Sequence, residues 1–136
     1  MTITAARSEP QQYTDTYEPV EASATRSRHD LKLTLYAWGL EDLVDSACLA
    51  ITELVANAVR HCRLPGGLIE VTVLRSGESQ VRIAVQDSCP SPVSKREVTP
   101  DEESGRGLFL VEAVSSSWGS TPLPQGKLVW AEISSQ

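Results

Sequence analysis

Apolar residues recur along this chain with two different periods, and each change of period marks an element. From about Glu21 to Trp38, the residues Ala24, Leu31, Leu35 and Trp38 stand at helical spacing, and Gly39 supplies a C-terminal stop. Glu41 and Asp42 favour a new helix start by their charge, and that second helix runs to about Cys62. At about 100° per residue, its Leu43, Ala47, Ile51, Leu54 and Ala58 share one broad apolar side. Ser46, Glu53 and Asn57 fall together on the other side, with Arg60 at its edge. After the turn Pro65-Gly66-Gly67 the period drops to two. Ile69, Val71 and Val73 alternate with polar residues within Leu68 to Arg75, as do Val81, Ile83 and Val85 within Gln80 to Asp87. Ser76 to Ser79 joins these two strands as a hairpin loop. Ser88 to Ser104 carries three prolines and little apolar content, so it reads as a long loop of the kind that serves as a lid. Gly105-Arg106-Gly107 then opens a short apolar helix, Leu108 to Val114, which Trp118-Gly119 ends. Gly126 to Ile133 is a final strand, with Leu128, Trp130 and Glu132 on one face and Val129, Ala131 and Ile133 on the other. Tyr13 to Val20 alternates enough to add an edge strand.

The totals narrow the setting of these elements. The 136 residues suffice for one domain with a core and not for two. Residues 1–19 read as a mobile N-terminal tail that contains the edge strand, and residues 20–136 as the domain. A net charge of -6 argues against direct binding of nucleic acid, which needs a basic footprint. No apolar run approaches a membrane span, and Met1 to Pro10 lack the apolar core of a secretory signal, so a cytoplasmic protein is expected. Cys48, Cys62 and Cys89 are an odd number without paired close spacing, which fits free thiols better than a disulfide frame or a zinc site.

Candidate chemistry sits at three places. Glu53 and Asn57 are four apart and so are neighbours on the helix surface. A carboxylate there can take a proton from a hydroxyl or water. An amide oxygen beside it can join phosphates around magnesium, a cation that wants hard oxygen ligands and few from protein. A solvated helix face with a tolerated asparagine gives the same pattern. Asp87 ends a strand just before the lid-like loop. The glycines Gly105 and Gly107 at a helix start expose backbone N–H groups at the positive end of the helix dipole, a generic anion site, although an ordinary turn contains glycine too.

The joint order of these pieces resembles the GHKL ATPase superfamily of histidine kinases, DNA gyrase and heat-shock chaperones. Within it, the chain is most similar to the small anti-sigma-factor serine/threonine kinases. The resemblance runs from about Arg28 to Ile133. Glu53-Leu54-Val55-Ala56-Asn57-Ala58-Val59-Arg60-His61 matches the family's N box. The resemblance implies Glu53 as general base and Asn57 as ligand of Mg²⁺. Asp87 matches the G1-box aspartate that accepts from the adenine amino group, and Gly105-Arg106-Gly107-Leu108 matches the phosphate-cradling G2 box. Trp38-Gly39-Leu40 and the run Gly126 to Glu132 also look like this branch. The implied fold is an α/β two-layer sandwich of the Bergerat type, with helices on one face of a mixed β-sheet. The implied ligands are ATP and Mg²⁺. The implied partners are a sigma factor, an anti-anti-sigma protein of the STAS type, or a second copy in a homodimer. Arg28 sits where the first helix of this branch carries a partner-facing arginine; a solvated basic face with Arg26 and Lys32 is the alternative.

One departure separates two functions. The superfamily pattern Asp-x-Gly-x-Gly is here Asp87-Ser88-Cys89-Pro90-Ser91. Cys89 and Pro90 lack the backbone freedom of glycine, and Pro90 also lacks a donor. Glu53 favours a kinase acting on an anti-anti-sigma protein. The altered G1 box favours a partner-switching module with little or no nucleotide turnover. His61 stands too close to the motif to be a separate phosphoacceptor and reads as a cap or packing residue.

Overall fold

The computed structural model describes residues 11–62, 66–88 and 103–135, the last without the side chains of 103–108. Strand β1 (Gln12–Tyr17) leads into helix α1 (Ala22–Ala37); a single 3-10 turn (Glu41–Leu43) leads into helix α2 (Val44–His61). Strands β2 (Ile69–Gly77) and β3 (Gln80–Asp87), helix α3 (Glu103–Val114), and strands β4 (Ser117–Pro122) and β5 (Lys127–Ser134) complete the order. Among the described residues no helix is long and apolar enough to cross a membrane.

Local chemistry sets the helix ends. The Gly39 N–H donates to the Tyr36 carbonyl and the Leu40 N–H to the Leu35 carbonyl, at 3.1 and 2.8 Å. This pair of bonds closes α1, and it needs the left-handed φ of +75° that Gly39 supplies. Leu40 and Leu35 are both buried, which adds the apolar contact of that motif. At its other end, Ser23 Oγ donates to the Glu18 carbonyl at 2.6 Å. In α2, Asp45 lies in the first turn and Arg60 and His61 in the last, each sign where the helix dipole favours it. Helix α2 lies between α1 and α3 and packs on the sheet, so it is buried over a wide arc.

The five strands run in the order β1-β2-β3-β5-β4. Every pairing among them is antiparallel, where a mixed sheet was expected. The reason is insertion. β3 and β4 run in the same direction across the α3 crossover, but β5 lies between them, as β2 lies between β1 and β3. β1 is the expected edge strand, with Tyr17 opposite Ile69. The sandwich itself is as expected: Val71, Val73, Val81, Ile83, Ala131 and Ile133 are buried against Leu31, Leu35, Ile51, Leu54 and Val55. Full burial of each such aliphatic side chain stabilises by roughly 1.5–3 kcal/mol.

Two boundaries differ from the reading of the sequence. Helix α3 ends at Val114, where Ser115 Oγ caps the Val111 carbonyl at 2.6 Å. Trp118-Gly119 therefore belongs to β4, a strand with no apolar alternation of its own. A Cβ at Gly119 would fall 2.7 Å from Trp130 Cζ2, so glycine there lets the indole lie across the strand. Helix α3 also begins at Glu103, so Gly105 and Gly107 lie inside it rather than ahead of it. Glycine in a helix costs about 1 kcal/mol against alanine and does not prevent helix formation.

Candidate functional site

The antiparallel ladder brings one end of three strands together. Asp87 at the end of β3 pairs with Ile69 at the start of β2 and with Lys127 at the start of β5. The C-terminal end of α2 lies at this same edge, because the short connection from His61 to Ile69 leaves it little reach. Asn57 stands one turn before that end, and Glu53 one turn before Asn57. The fold thus gathers Glu53, Asn57 and Asp87 at one end of the sandwich. The G2-box residues Gly105, Arg106, Gly107 and Leu108 fall in the first turns of α3, beside α2.

Asn57 does not sit on a solvated face. It is 1 % exposed, at the edge of the buried arc of α2, and its Oδ1 is buried without a hydrogen-bond partner. Glu53, farther round the helix, is half-buried. An unmet buried acceptor costs roughly 1–3 kcal/mol. A hard cation is the kind of partner that removes this cost, so the side chain fits magnesium.

Asp87 is 3 % exposed. Gly126, with φ +90°, abuts it so closely that a Cβ would strike both its main-chain oxygen and its Oδ1. The Ser88 N–H donates to the Leu68 carbonyl at 2.9 Å and fixes the chain just beyond it. Lys127, opposite Asp87, has its pKa lowered by burial, partly offset by the field of the Asp87 carboxylate. Neither the register of Lys127 nor the fit of Gly126 was read from the sequence; the only signal was the glycine before the last strand.

In α3, a helix that starts at Glu103 leaves free about the first four N–H groups. The Gly105 N–H falls within that set and the Gly107 N–H beyond it, which corrects the expected glycine turn. The lid segment Ser88 to Ser104, with Cys89 and Pro90 of the altered G1 box, lies for the most part outside the described residues.

Arg28 lies on the other flank of α2. It is exposed, at a cleft of about 720 Å³ between α1 and α2, with Arg26, Lys32, Cys48 and Leu49 also in its walls. Burial pushes the Cys48 thiol up, against the pull of Arg28 and Lys32. Cys48 is a free thiol, as expected, but Cys62 is buried and disulfide-bonded, so the three cysteines are not all free. His61, expected as a cap or packing residue, is exposed in the last turn of α2. Among the described residues no group of three His, Cys, Asp or Glu side chains could hold a metal, so a cation here would rest on Asn57 and on the oxygens of a substrate.

Comparison with known proteins agrees with this geometry. No curated protein matches the sequence. The histidine kinase domain of the blue-light activated histidine kinase from Erythrobacter litoralis EL346 shares the fold, with a TM-score of 0.56 at 18 % identity. That alignment covers 90 % of this chain and 64 % of the other, so this chain spans less than two thirds of its structural relative. The pattern of the histidine kinase-like ATPase domain matches residues 18–133. With the N-box helix, the strand-end aspartate and the sandwich between them in place, the chain belongs to the histidine kinase-like ATPase domain family.

Proposed function

We propose that this protein is an ATP-binding regulator of the anti-sigma-factor type, a serine/threonine kinase whose substrate is an anti-anti-sigma protein. The observation that carries the ATP-dependent reading is the partnerless Oδ1 of buried Asn57, one helical turn from half-buried Glu53. Magnesium, when bound, supplies charge that neutralises the phosphates. Asn57 would hold that ion through Oδ1. Asp87 accepts from the amino group of the base, and burial strengthens this contact by excluding water. Glu53 accepts the proton of the attacking serine or threonine hydroxyl, which needs a carboxylate near the reacting phosphate but not sealed from the partner. Partial exposure of Glu53 suits that role. Arg28 contacts the partner, a sigma factor or a STAS-type protein, from the α1–α2 cleft.

The test is transfer of labelled phosphate to candidate anti-anti-sigma proteins. Glu53→Gln keeps shape and most nucleotide affinity but removes the proton acceptor, for a loss of about 10²–10⁴ in rate. An unchanged rate would make Glu53 structural. A second reading, a partner-switching module that binds nucleotide with little turnover, is favoured by the helical start of α3, which removes the Gly107 N–H from a phosphate cradle. Tight binding of Mg-ADP without any phosphate transfer would select it.

A further inference from the structure

Lys127 occupies a place that sheet packing alone does not explain. Along the facing rows of β3 and β5, the helix-side pairs are Val81 with Ile133, Ile83 with Ala131, and Val85 with Val129. All six residues are buried. The next rung of this row is Asp87 with Lys127, so three apolar rungs end in a pair of opposite charges on the same face. Directly opposed side chains in such a ladder have their Cβ atoms about 4.5–5.5 Å apart. Lysine is a strongly hydrated cation that is rarely buried without a partner, yet Lys127 is largely withdrawn from water here. Gly126 fixes the arrangement from the preceding position, because its lack of a Cβ lets β5 begin hard against Asp87.

We propose that Lys127 is a specificity-determining residue of the nucleotide site, reading the base edge together with Asp87. This rests on the nucleotide-binding reading given above. The edge of adenine presents an exocyclic amino donor beside a ring-nitrogen acceptor. A carboxylate matches the first and an ammonium, which only donates, matches the second. Two neighbouring side chains of opposite charge therefore complement an adenine edge in one orientation. Guanine in that same pose would set its carbonyl oxygen against the carboxylate and its ring N–H against the ammonium, both mismatched. Without nucleotide, the field of the Asp87 carboxylate offsets part of the cost of holding the ammonium away from water.

The experiment is a chemical double-mutant cycle by titration calorimetry, with ADP, 1-deaza-ADP (the ring nitrogen replaced by C–H) and GDP. The parent is expected to lose about tenfold or more in affinity when the ring nitrogen is removed, the size of a charge-assisted hydrogen bond. Lys127→Met binds ADP more weakly and holds ADP and 1-deaza-ADP within about twofold of each other. Lys127→Gln, which keeps a neutral donor, recovers part of the discrimination and serves as the second variant if methionine beside Asp87 impairs folding. Parent and variants that lose the same factor on removal of the ring nitrogen would overturn the role of Lys127 while leaving the nucleotide site intact. A parent that binds none of the three nucleotides would overturn both readings together.

Discussion

Gly126 turns with φ at +90° directly against Asp87, whose main-chain oxygen and Oδ1 fill the space that a Cβ on Gly126 would need. The start of the last strand is thus shaped by the residue proposed to meet the base. Gly39 gives a control, since it has a left-handed φ of +75° with nothing within 4 Å of an added Cβ. Gly39→Ala should cost only the backbone strain, about 1 kcal/mol. Gly126→Ala adds displacement of Asp87 and should cost at least about 1 kcal/mol more, as overpacking does. It should also weaken ADP binding, which Gly39→Ala leaves unchanged. Denaturant unfolding and calorimetry of both variants measure this. Equal losses of stability with equal ADP affinity would mean that Asp87 moves aside freely.

Asn57 gives a second prediction, in which stability and ligand binding part company. Its side chain is buried with an unmet acceptor. Asn57→Ala removes that acceptor along with some packing, two effects of opposite sign. The nucleotide-free protein should change in stability by less than about 1 kcal/mol. The magnesium-dependent part of its nucleotide affinity should disappear. Unfolding without magnesium, then ADP titrations with and without it, separate the two. A large loss of stability with unchanged magnesium dependence would place Asn57 among the structural residues.

The sequence carried the helices α1 and α2 and the strands β2, β3 and β5 because each writes its own period. Leu31 and Leu35 in α1, or Val81, Ile83 and Val85 in β3, announce the face they bury. What it did not carry depends on partners far along the chain. β4 exists through pairing with β5, and its residues Ser117, Gly119, Ser120 and Thr121 hold no apolar alternation. The burial of Asn57 comes from neighbours packed on α2, which the helix's own period does not encode. The rung of Asp87 and Lys127 is a matter of register between strands distant in sequence. The start of α3 was misplaced because glycine was read as a breaker, although it only weakens a helix. The site residues Glu53, Asn57 and Asp87 were legible as types and order, and their gathering at one end of the sandwich needed the fold.

The tyrosines of β1 predict an alkaline limit to stability. Tyr17 donates to Asp30 Oδ2 at 2.6 Å and so ties the edge strand to α1. Burial raises the Tyr17 phenol well above its ordinary 10.0, and the hydrogen bond and charge of Asp30 raise it further. Tyr13 is raised by burial and then by Asp30 and Asp15. With folded values above unfolded ones, their contribution is fully present below pH 10.0 and is lost as the pH climbs toward the folded values. Lys127 acts with the opposite sign: its folded value lies below 10.5, so its contribution grows as the pH rises toward 10.5. Urea unfolding from pH 8 to 11 should show stability falling beyond about pH 10, and Tyr17→Phe should flatten that fall. A fall of the same slope in Tyr17→Phe would assign it to other groups.

The last prediction concerns the flank of α2 that faces away from the nucleotide. In a chain of net charge -6, α1 carries Arg26, Arg28 and Lys32 against Asp30 alone, and Asp30 already accepts from Tyr17. The cleft beside them has Val44, Cys48 and Leu49 in its wall, so a basic rim borders an apolar floor. Such a border suits a partner with an acidic edge, and its charges act chiefly on the rate of encounter and on salt sensitivity. Because α2 stands between this cleft and α3, a change of charge at Arg28 should leave the nucleotide untouched. Arg28→Glu is expected to slow association with a sigma factor or STAS-type partner by about tenfold or more at low salt, with a smaller effect as salt rises. ADP affinity should match the parent. Surface plasmon resonance across a salt series, run beside ADP titrations, reads both. An association rate that stays at the parent value across the series would move the partner surface off α1.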